Sequence, residues 1–344
     1  MITVLVPSLQ RKGPVIVAVN IVNELTKKGF EVNLIYLKAS NKELEINKNV
    51  HVSKLKISNL YSILKSRIIH SHGFLPDIIN FLLYFFVFFG DKKHISTIHN
   101  FMHADFNVNY SKHKAFLMNM IWPKILKKLD IIFISETQQD FLNKHYIFEG
   151  RQKVIYNSVT VPDKLNLKDN VTNWLNKTRS NNHIILGTCC VLTKLKSVET
   201  IIESLRYLPS NYSLVIIGDG EQRASLESLT QKYKLTKRVF FTGFITEPHS
   251  LINEFDIFVF PTLVEAFGLS GIEASIMGVP VICSDIEIFR ELYFSKSTSF
   301  FQPSNSQDLA KKIIDFKYIT VDTFGYKSKF SPITLSEEFE KFYN

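Results

Sequence analysis

The segment of this chain richest in chemistry is Pro261-Thr-Leu-Val-Glu265-Ala-Phe-Gly268-Leu-Ser-Gly-Ile-Glu273-Ala-Ser-Ile-Met-Gly-Val-Pro280. The apolar run Ile257–Phe260 reads as a strand, and Ser270–Met277 as a helix, so the glutamates flank the turn between them. Gly268 lets the backbone approach a ligand with no Cβ in the way. The unpaired N–H groups of the following first turn make an anion site, which a diphosphate fits and which would stabilise charge developing on it. Glu265, between a buried strand and an apolar Ala-Phe pair, has no evident structural task. Glu273 has one: Ser270-x-x-Glu273 has the spacing of a capping box, so capping and ligand contact both remain open for it.

Other candidates sit just after predicted strands: Gly13, His72-Gly73, His99-Asn100, Ser135-Glu136, Asn157, Gly218-Asp-Gly220 and Gly243. A parallel α/β sheet collects its ligands at the carboxyl ends of its strands, so these residues share one edge. A lone histidine is more often packed than functional, and Pro14 at a first helical position makes Gly13 equally readable as part of a plain turn.

The elements that must position these residues alternate between strand and helix. Ile2–Val6, Glu31–Leu37, Ile68–Ser71, His94–Ile98, Ile131–Ile134 and Lys153–Ile155 read as strands, and Val15–Lys28 as a helix with Val15, Val19, Val22 and Leu25 on one face. The pattern restarts with strands His183–Gly187, Ser213–Ile217, Arg238–Phe241, Ile257–Phe260 and Pro280–Cys283. Helices are predicted over Val198–Leu208, Glu221–Tyr233 and Ser270–Met277. Such alternation implies parallel sheets covered on both faces. With 344 residues, two Rossmann-like domains fit better than one large sheet, and the polar segment Val161–Ser180 is the expected boundary.

Hydrophobic residues are 45% and charged ones 21%, a globular balance. Cys189, Cys190 and Cys283 form neither a CxxC pair nor an even framework, which suits a reducing compartment. Met1–Pro7 lacks a basic n-region and reads as a first strand rather than a signal peptide. The apolar run Ile78–Phe89, set between Pro76-Asp77 as a helix start and Gly90 as a stop, is too short to span a bilayer, which takes roughly 20 residues. It reads as a core helix, with a membrane-facing role as the alternative.

Charge is uneven. Residues 1–150 carry 19 Lys and Arg against 11 Asp and Glu, and the remainder 22 against 21, so nearly all of the +9 lies in the first half. A basic half points to an anionic partner. No RNP, zinc-finger or helix-turn-helix pattern accompanies it, so nucleic acid is not expected. In 112–128, lysines surround Phe116, Leu117, Met120, Ile121 and Trp122, the make-up of an interfacial segment, although Pro123 would kink it.

Pro-Thr-x-x-Glu265-Ala-Phe-Gly-Leu with Glu273 resembles the E-x7-E signature of the retaining, group 1, family 4 glycosyltransferases of GT-B fold. The family usually has Glu-Gly-Phe-Gly, where this chain has Ala266. Other segments follow the family in order. Ile216–Leu226 resembles its glycine-bearing turn near the nucleotide, Phe240–Ile245 the segment whose backbone contacts the base, and Thr97-Ile-His99-Asn100 the strand end whose histidine faces the sugar. Val154–Val159 resembles the element before the interdomain linker, and 330–344 the terminal helix that returns to the first domain. The family's Gly-Arg-Leu-x-x-x-Lys-Gly is read here as Cys190-Val191-Leu192-Thr193-Lys194-Leu195-Lys196-Ser197, so Lys196 matches while Val191 replaces the arginine.

The resemblance implies two Rossmann-like domains facing across a cleft, 1–160 for the acceptor and 161–329 for a nucleoside-diphosphate sugar. Lys196, Gly268 and Leu269 would hold the diphosphate, Glu273 the ribose, and Glu265 with His99 the sugar. Gly218, Gly243, Phe244, Ile245 and Phe267 would line the donor site, and Gly13, His72 and Asn157 the acceptor side. Transfer would retain configuration without a metal, to a glycan or lipid-linked acceptor of cell-surface polysaccharide or lipopolysaccharide, in the cytoplasm or on the cytoplasmic face of the inner membrane. No Asp-x-Asp supports a metal-dependent single-sheet transferase. Gly218-x-Gly220 lacks the third glycine of a dinucleotide fingerprint, and no His/Cys cluster has zinc spacing. Val191 and Ala266 also allow a second reading, a catalytically weakened nucleotide-sugar-binding partner of another transferase.

Overall fold

The computed structural model describes residues 1–39, 44–86, 92–102, 106, 111–162, 169–294, 296–316 and 320–344. The chain divides into two compact units, Met1–Ser158 with Phe330–Asn344, and Val159–Lys329.

The first unit is built on seven parallel strands: β1 (Ile2–Val6), β2 (Val32–Tyr36), β3 (His51–Lys54), β4 (Ile68–His72), β5 (Lys93–Ile98), β6 (Asp130–Phe133) and β7 (Gln152–Val154), in the order β3-β2-β1-β4-β5-β6-β7. Central strands are buried on both faces, which is why β1 reads as an unbroken apolar run. The helix Gly13–Lys27 opens with Pro14 in its first turn and buries Val15, Val19, Val22 and Leu25. The terminal helix Pro332–Tyr343 joins the same core through Leu335, Phe339, Phe342 and Tyr343. Each such side chain contributes ~1.5–3 kcal/mol by leaving water.

The second unit carries six parallel strands: β8 (Ile184–Cys189), β9 (Tyr212–Ile217), β10 (Val239–Gly243), β11 (Ile257–Phe260), β12 (Val281–Ser284) and β13 (Thr298–Phe301), ordered β10-β9-β8-β11-β12-β13. Strand order therefore reverses once in each sheet, between β1 and β4 and between β8 and β11. At such a switch point the adjoining loops leave in opposite directions and open a crevice at the carboxyl edge.

Several sequence expectations are corrected. Edge strands β3 and β13 escape the apolar-run criterion because they are only partly covered. Of the expected boundary Val161–Ser180, the part Asp169–Ser180 is a helix of the second unit, anchored by buried Val171, Leu175 and Thr178 at helical spacing and by Trp174 stacked on Phe240 at 5.1 Å. The helix assigned to Ile78–Phe89 begins earlier, at Phe74, and its described part ends at Phe86; the stop assigned to Gly90 lies outside the described residues. Asp77 is not a cap there. It is fully buried and accepts from Ser71 Oγ (2.6 Å), Ser96 Oγ (2.8 Å) and Trp122 Nε1 (2.7 Å). Burial pushes its carboxyl up to about 7 against these three opposing hydrogen bonds. The helix Lys112–Leu126 runs on through Pro123, which removes one donor from the ladder without ending it.

Candidate functional site

In the second unit, the loops that leave β8 and β11 at the switch point are stitched together. Leu263 N donates to Leu195 O (2.8 Å), and the fully buried Thr262 Oγ1 lies within hydrogen-bond distance of Leu195 O and Val264 O (3.0 Å each). These bonds bring Lys196 and Glu265, 69 positions apart, into an ion pair between Lys196 Nζ and Glu265 Oε2. Both side chains are largely covered, at 23% and 17% exposure, so their interaction is less screened than a surface pair.

Gly268 follows at φ +87, a left-handed conformation that starts the helix Leu269–Ile276. A Cβ there would lie 2.9 Å from the Phe260 ring and 3.1 Å from Phe289, so glycine is required by both backbone and space. The helix thus opens one residue before Ser270, and no side chain caps it. The capping box is not formed, and its first N–H groups keep the anion-binding character derived from their position.

Glu273, with 21% of its side chain exposed, lies 3.5 Å (Oε1) from Nε2 of His249. Tyr293 is buried nearby, has no hydrogen-bond partner for its hydroxyl among the described residues, and burial raises its phenol well above the ordinary range.

Gly218 follows β9 and Gly243 ends β10, and the two meet, with Gly218 N donating to Gly243 O at 2.9 Å. At Gly218, with φ +125, a Cβ would fall 1.9 Å from the Cys190 carbonyl oxygen. A structural need therefore accounts for this glycine. Phe244 is exposed, Ile245 and Leu269 are half-buried, and Phe267 is buried at 3%. Val191, where the family's arginine would stand, is 64% exposed. Burial pushes all three thiols up, Cys190 to about 12, so none is a thiolate at neutral pH.

In the first unit, Gly13 opens the helix after β1 and His72 ends β4, so both adjoin that sheet's switch point. His99 follows β5, and Asn157 lies three residues beyond β7. The structure joins His72 and His99 directly, Nδ1 to Nε2 at 2.9 Å with stacked rings. Behind them, His70 bridges Thr97 Oγ1 and the Tyr343 hydroxyl, each at 2.7 Å. Burial holds His70 and His99 down to about 3, and His72 well below its usual value through burial, then His70 and His99. The three rings are neutral at pH 7, so they act as hydrogen-bonding groups. Among the described residues no group of three or more His, Cys, Asp or Glu could hold a metal, and no helix is long and apolar enough to cross a membrane.

Two family models match: glycosyltransferase family 4 over residues 11–161, and glycosyl transferases group 1 over residues 170–318. The chain is 33% identical over 304 residues to the O-antigen biosynthesis glycosyltransferase WclY of Escherichia coli, covering 87% of this chain and 84% of that one. The chain belongs to the family 4, group 1 glycosyltransferases. Its fold is that of the GT-B members. The Anabaena Alr3699/HepE structure, solved with UDP and glucose, superimposes with a TM-score of 0.80 over 99% of both chains at 15% identity. WaaG, a glycosyltransferase involved in lipopolysaccharide biosynthesis, gives 0.69 over the full length of both chains at 13%.

A cation and a helix start at a switch-point loop are groups that would stabilise a negatively charged leaving group, and the Glu265 carboxylate stands beside them. Sequence reasoning missed His249 and Tyr293, which neither motif nor periodicity marks; Thr262 falls within the Pro-Thr-x-x-Glu265 motif, but its buried contacts to the loop after β8 show only in the fold.

Proposed function

We propose that this glycosyltransferase binds a nucleoside-diphosphate sugar on its second unit and transfers the sugar to an acceptor taken by its first. The observation that carries the proposal is the Lys196–Glu265 pair beside the start of the helix Leu269–Ile276. Lys196 and the helix N–H groups meet the diphosphate, Glu273 the ribose, and Glu265 the sugar. Gly218, Gly243, Phe244, Ile245 and Phe267 line the same donor site, and Leu269 adds its backbone at the phosphates. A UDP-sugar is the first donor to test, because HepE was solved with UDP and glucose. On the first unit, His99 supported by His72 serves the sugar, with Gly13 and Asn157 on the acceptor side. The phosphates find their countercharge in Lys196 and the helix, so the mechanism we propose calls for no metal; that transfer retains configuration is proposed from the resemblance of the Glu265–Glu273 segment to the retaining family.

The acceptor we propose is a glycan or lipid-linked saccharide of cell-surface polysaccharide, as the names of WclY and of the O-antigen chain mannosyltransferase RfbU of Salmonella typhimurium suggest; RfbU is 25% identical over 221 residues, 59% of each chain. One face of the helix Lys112–Leu126 supports a place at a membrane surface. Ala115, Met118, Trp122 and Ile125 are buried, while Phe116, Leu117, Met120 and Ile121 are exposed beside exposed Lys112, Lys114 and Lys124. Apolar side chains rimmed by lysines suit the cytoplasmic face of an anionic bilayer. Flotation with anionic vesicles, repeated on Phe116→Glu/Ile121→Glu, tests this.

Donor binding is tested by thermal shift with UDP-, GDP- and ADP-sugars, repeated on Lys196→Ala. Transfer is tested with Glu265→Ala and Glu273→Ala. If both variants keep full transfer in cells, the alternative, a nucleotide-sugar-binding partner with exposed Val191 in place of the arginine, takes its place.

A further inference from the structure

His249 has no assigned role in this unit. It opens the short helix His249–Ile252, which packs against both β8 and the helix Leu269–Ile276. The residue is buried at 3% exposure, yet neither ring nitrogen has a hydrogen-bond partner among the described residues. A leucine would fill such a place without leaving polar atoms dry. An imidazole there is unfavourable unless something nearby accepts from it. The group in reach is Glu273, whose Oε1 lies 3.5 Å from Nε2.

We propose that His249 is a positioning residue for Glu273. It donates from Nε2–H to Oε1 and so leaves Oε2 directed outward, to accept from the ribose hydroxyls of the donor. A glutamate side chain on its own samples several rotamers, and ordering it on ligand arrival costs binding energy. A buried donor on one oxygen removes that cost beforehand, as supporting residues do for other binding groups. The ring needs no positive charge for this, only its proton on Nε2.

The proposal rests on the reading that Glu273 meets the ribose, and the experiment separates the two. Affinities of UDP, GDP and ADP for the purified full-length enzyme are measured by calorimetry, and the tightest is carried forward with its 2′,3′-dideoxy analogue. Four proteins are compared: wild type, Glu273→Ala, His249→Leu and His249→Gln. His249→Leu weakens the ribonucleotide about tenfold, the worth of one hydrogen bond to a charged group, and leaves the dideoxy analogue unchanged. His249→Gln, which keeps an N–H donor, restores most of the loss. In transfer assays the effect falls on the donor KM rather than on kcat.

If Glu273→Ala weakens the ribonucleotide while His249→Leu does not, the positioning role is overturned and the donor reading stands. Equal loss for ribo and dideoxy forms, or no rescue by glutamine, shows a packing role and also overturns the proposal. If Glu273→Ala changes nothing, or no nucleoside diphosphate binds, the donor reading falls and the proposal with it.

Discussion

Lys196→Ala and Glu265→Gln affect nucleotide binding in opposite directions if the two side chains sit where a diphosphate docks. Two unit charges about 4 Å apart at an effective dielectric near 20 interact by ~4 kcal/mol. Lys196 does not bring all of that to a ligand, because it already pairs with Glu265 in a largely covered setting. The net worth of a hydrogen bond to a charged group, ~1.5–3 kcal/mol, is the better guide, so Lys196→Ala weakens the nucleoside diphosphate about 30-fold. The variant also leaves Glu265 without that cation and facing the phosphates, which adds repulsion in the same direction.

Glu265→Gln removes the carboxylate that both competes for Lys196 and repels the ligand. Diphosphate binding is then unchanged or tighter, by up to about tenfold, while sugar transfer falls by at least about 100-fold. Calorimetry with the diphosphate, run beside a transfer assay on the same preparations, reads both quantities. Loss of less than about twofold in Lys196→Ala, or equal weakening by Glu265→Gln, refutes the placement of the phosphates beside this pair.

Further outcomes follow from the same geometry. Gly218→Ala drives a Cβ to within 1.9 Å of the Cys190 carbonyl at φ +125 and should cost about 3 kcal/mol or more in urea denaturation; a cost below about 1 kcal/mol shows that the loop yields freely. Tyr293→Phe deletes a buried hydroxyl that has no partner among the described residues and should be neutral to stabilising by up to about 1 kcal/mol, so marked destabilisation would reveal a hidden partner. Asp77 is raised on folding from 3.8 to about 7, so its contribution is complete below about pH 4 and lost as pH climbs through 7, on the order of 4 kcal/mol. The stability difference between wild type and Asp77→Asn should therefore shift against wild type across that interval, and a flat difference contradicts the buried acid. His70 and His72 are lowered on folding, so they stabilise above about pH 6.5 and lose that contribution as pH falls, at up to ~1.4 kcal/mol per pH unit each. His70→Gln should visibly flatten the acid limb of the stability curve.

Much of the architecture is legible in the order of residues alone. Central strands such as β1 and β11 are continuous apolar runs because helices cover both their faces, and that pattern survives in one dimension. Edge strands β3 and β13 did not announce themselves, since partial cover relaxes the demand for apolar residues. Ser270-x-x-Glu273 looked equally like a cap and a ligand contact. Only the left-handed turn at Gly268, which starts the helix a residue early, removed the cap.

What the sequence by itself determined was therefore the alternation of elements, the two-unit division and the glutamates spaced by seven, all set by short-range periodicity. The tertiary structure alone decided that Lys196 meets Glu265, that His72 touches His99, and that a buried histidine stands behind Glu273. Each of these pairs is separated by tens of residues along the chain. Their proximity comes from the reversal of strand order at β8 and β11, from the parallel pairing of β4 with β5, and from how the helices pack, which no local pattern of side chains encodes.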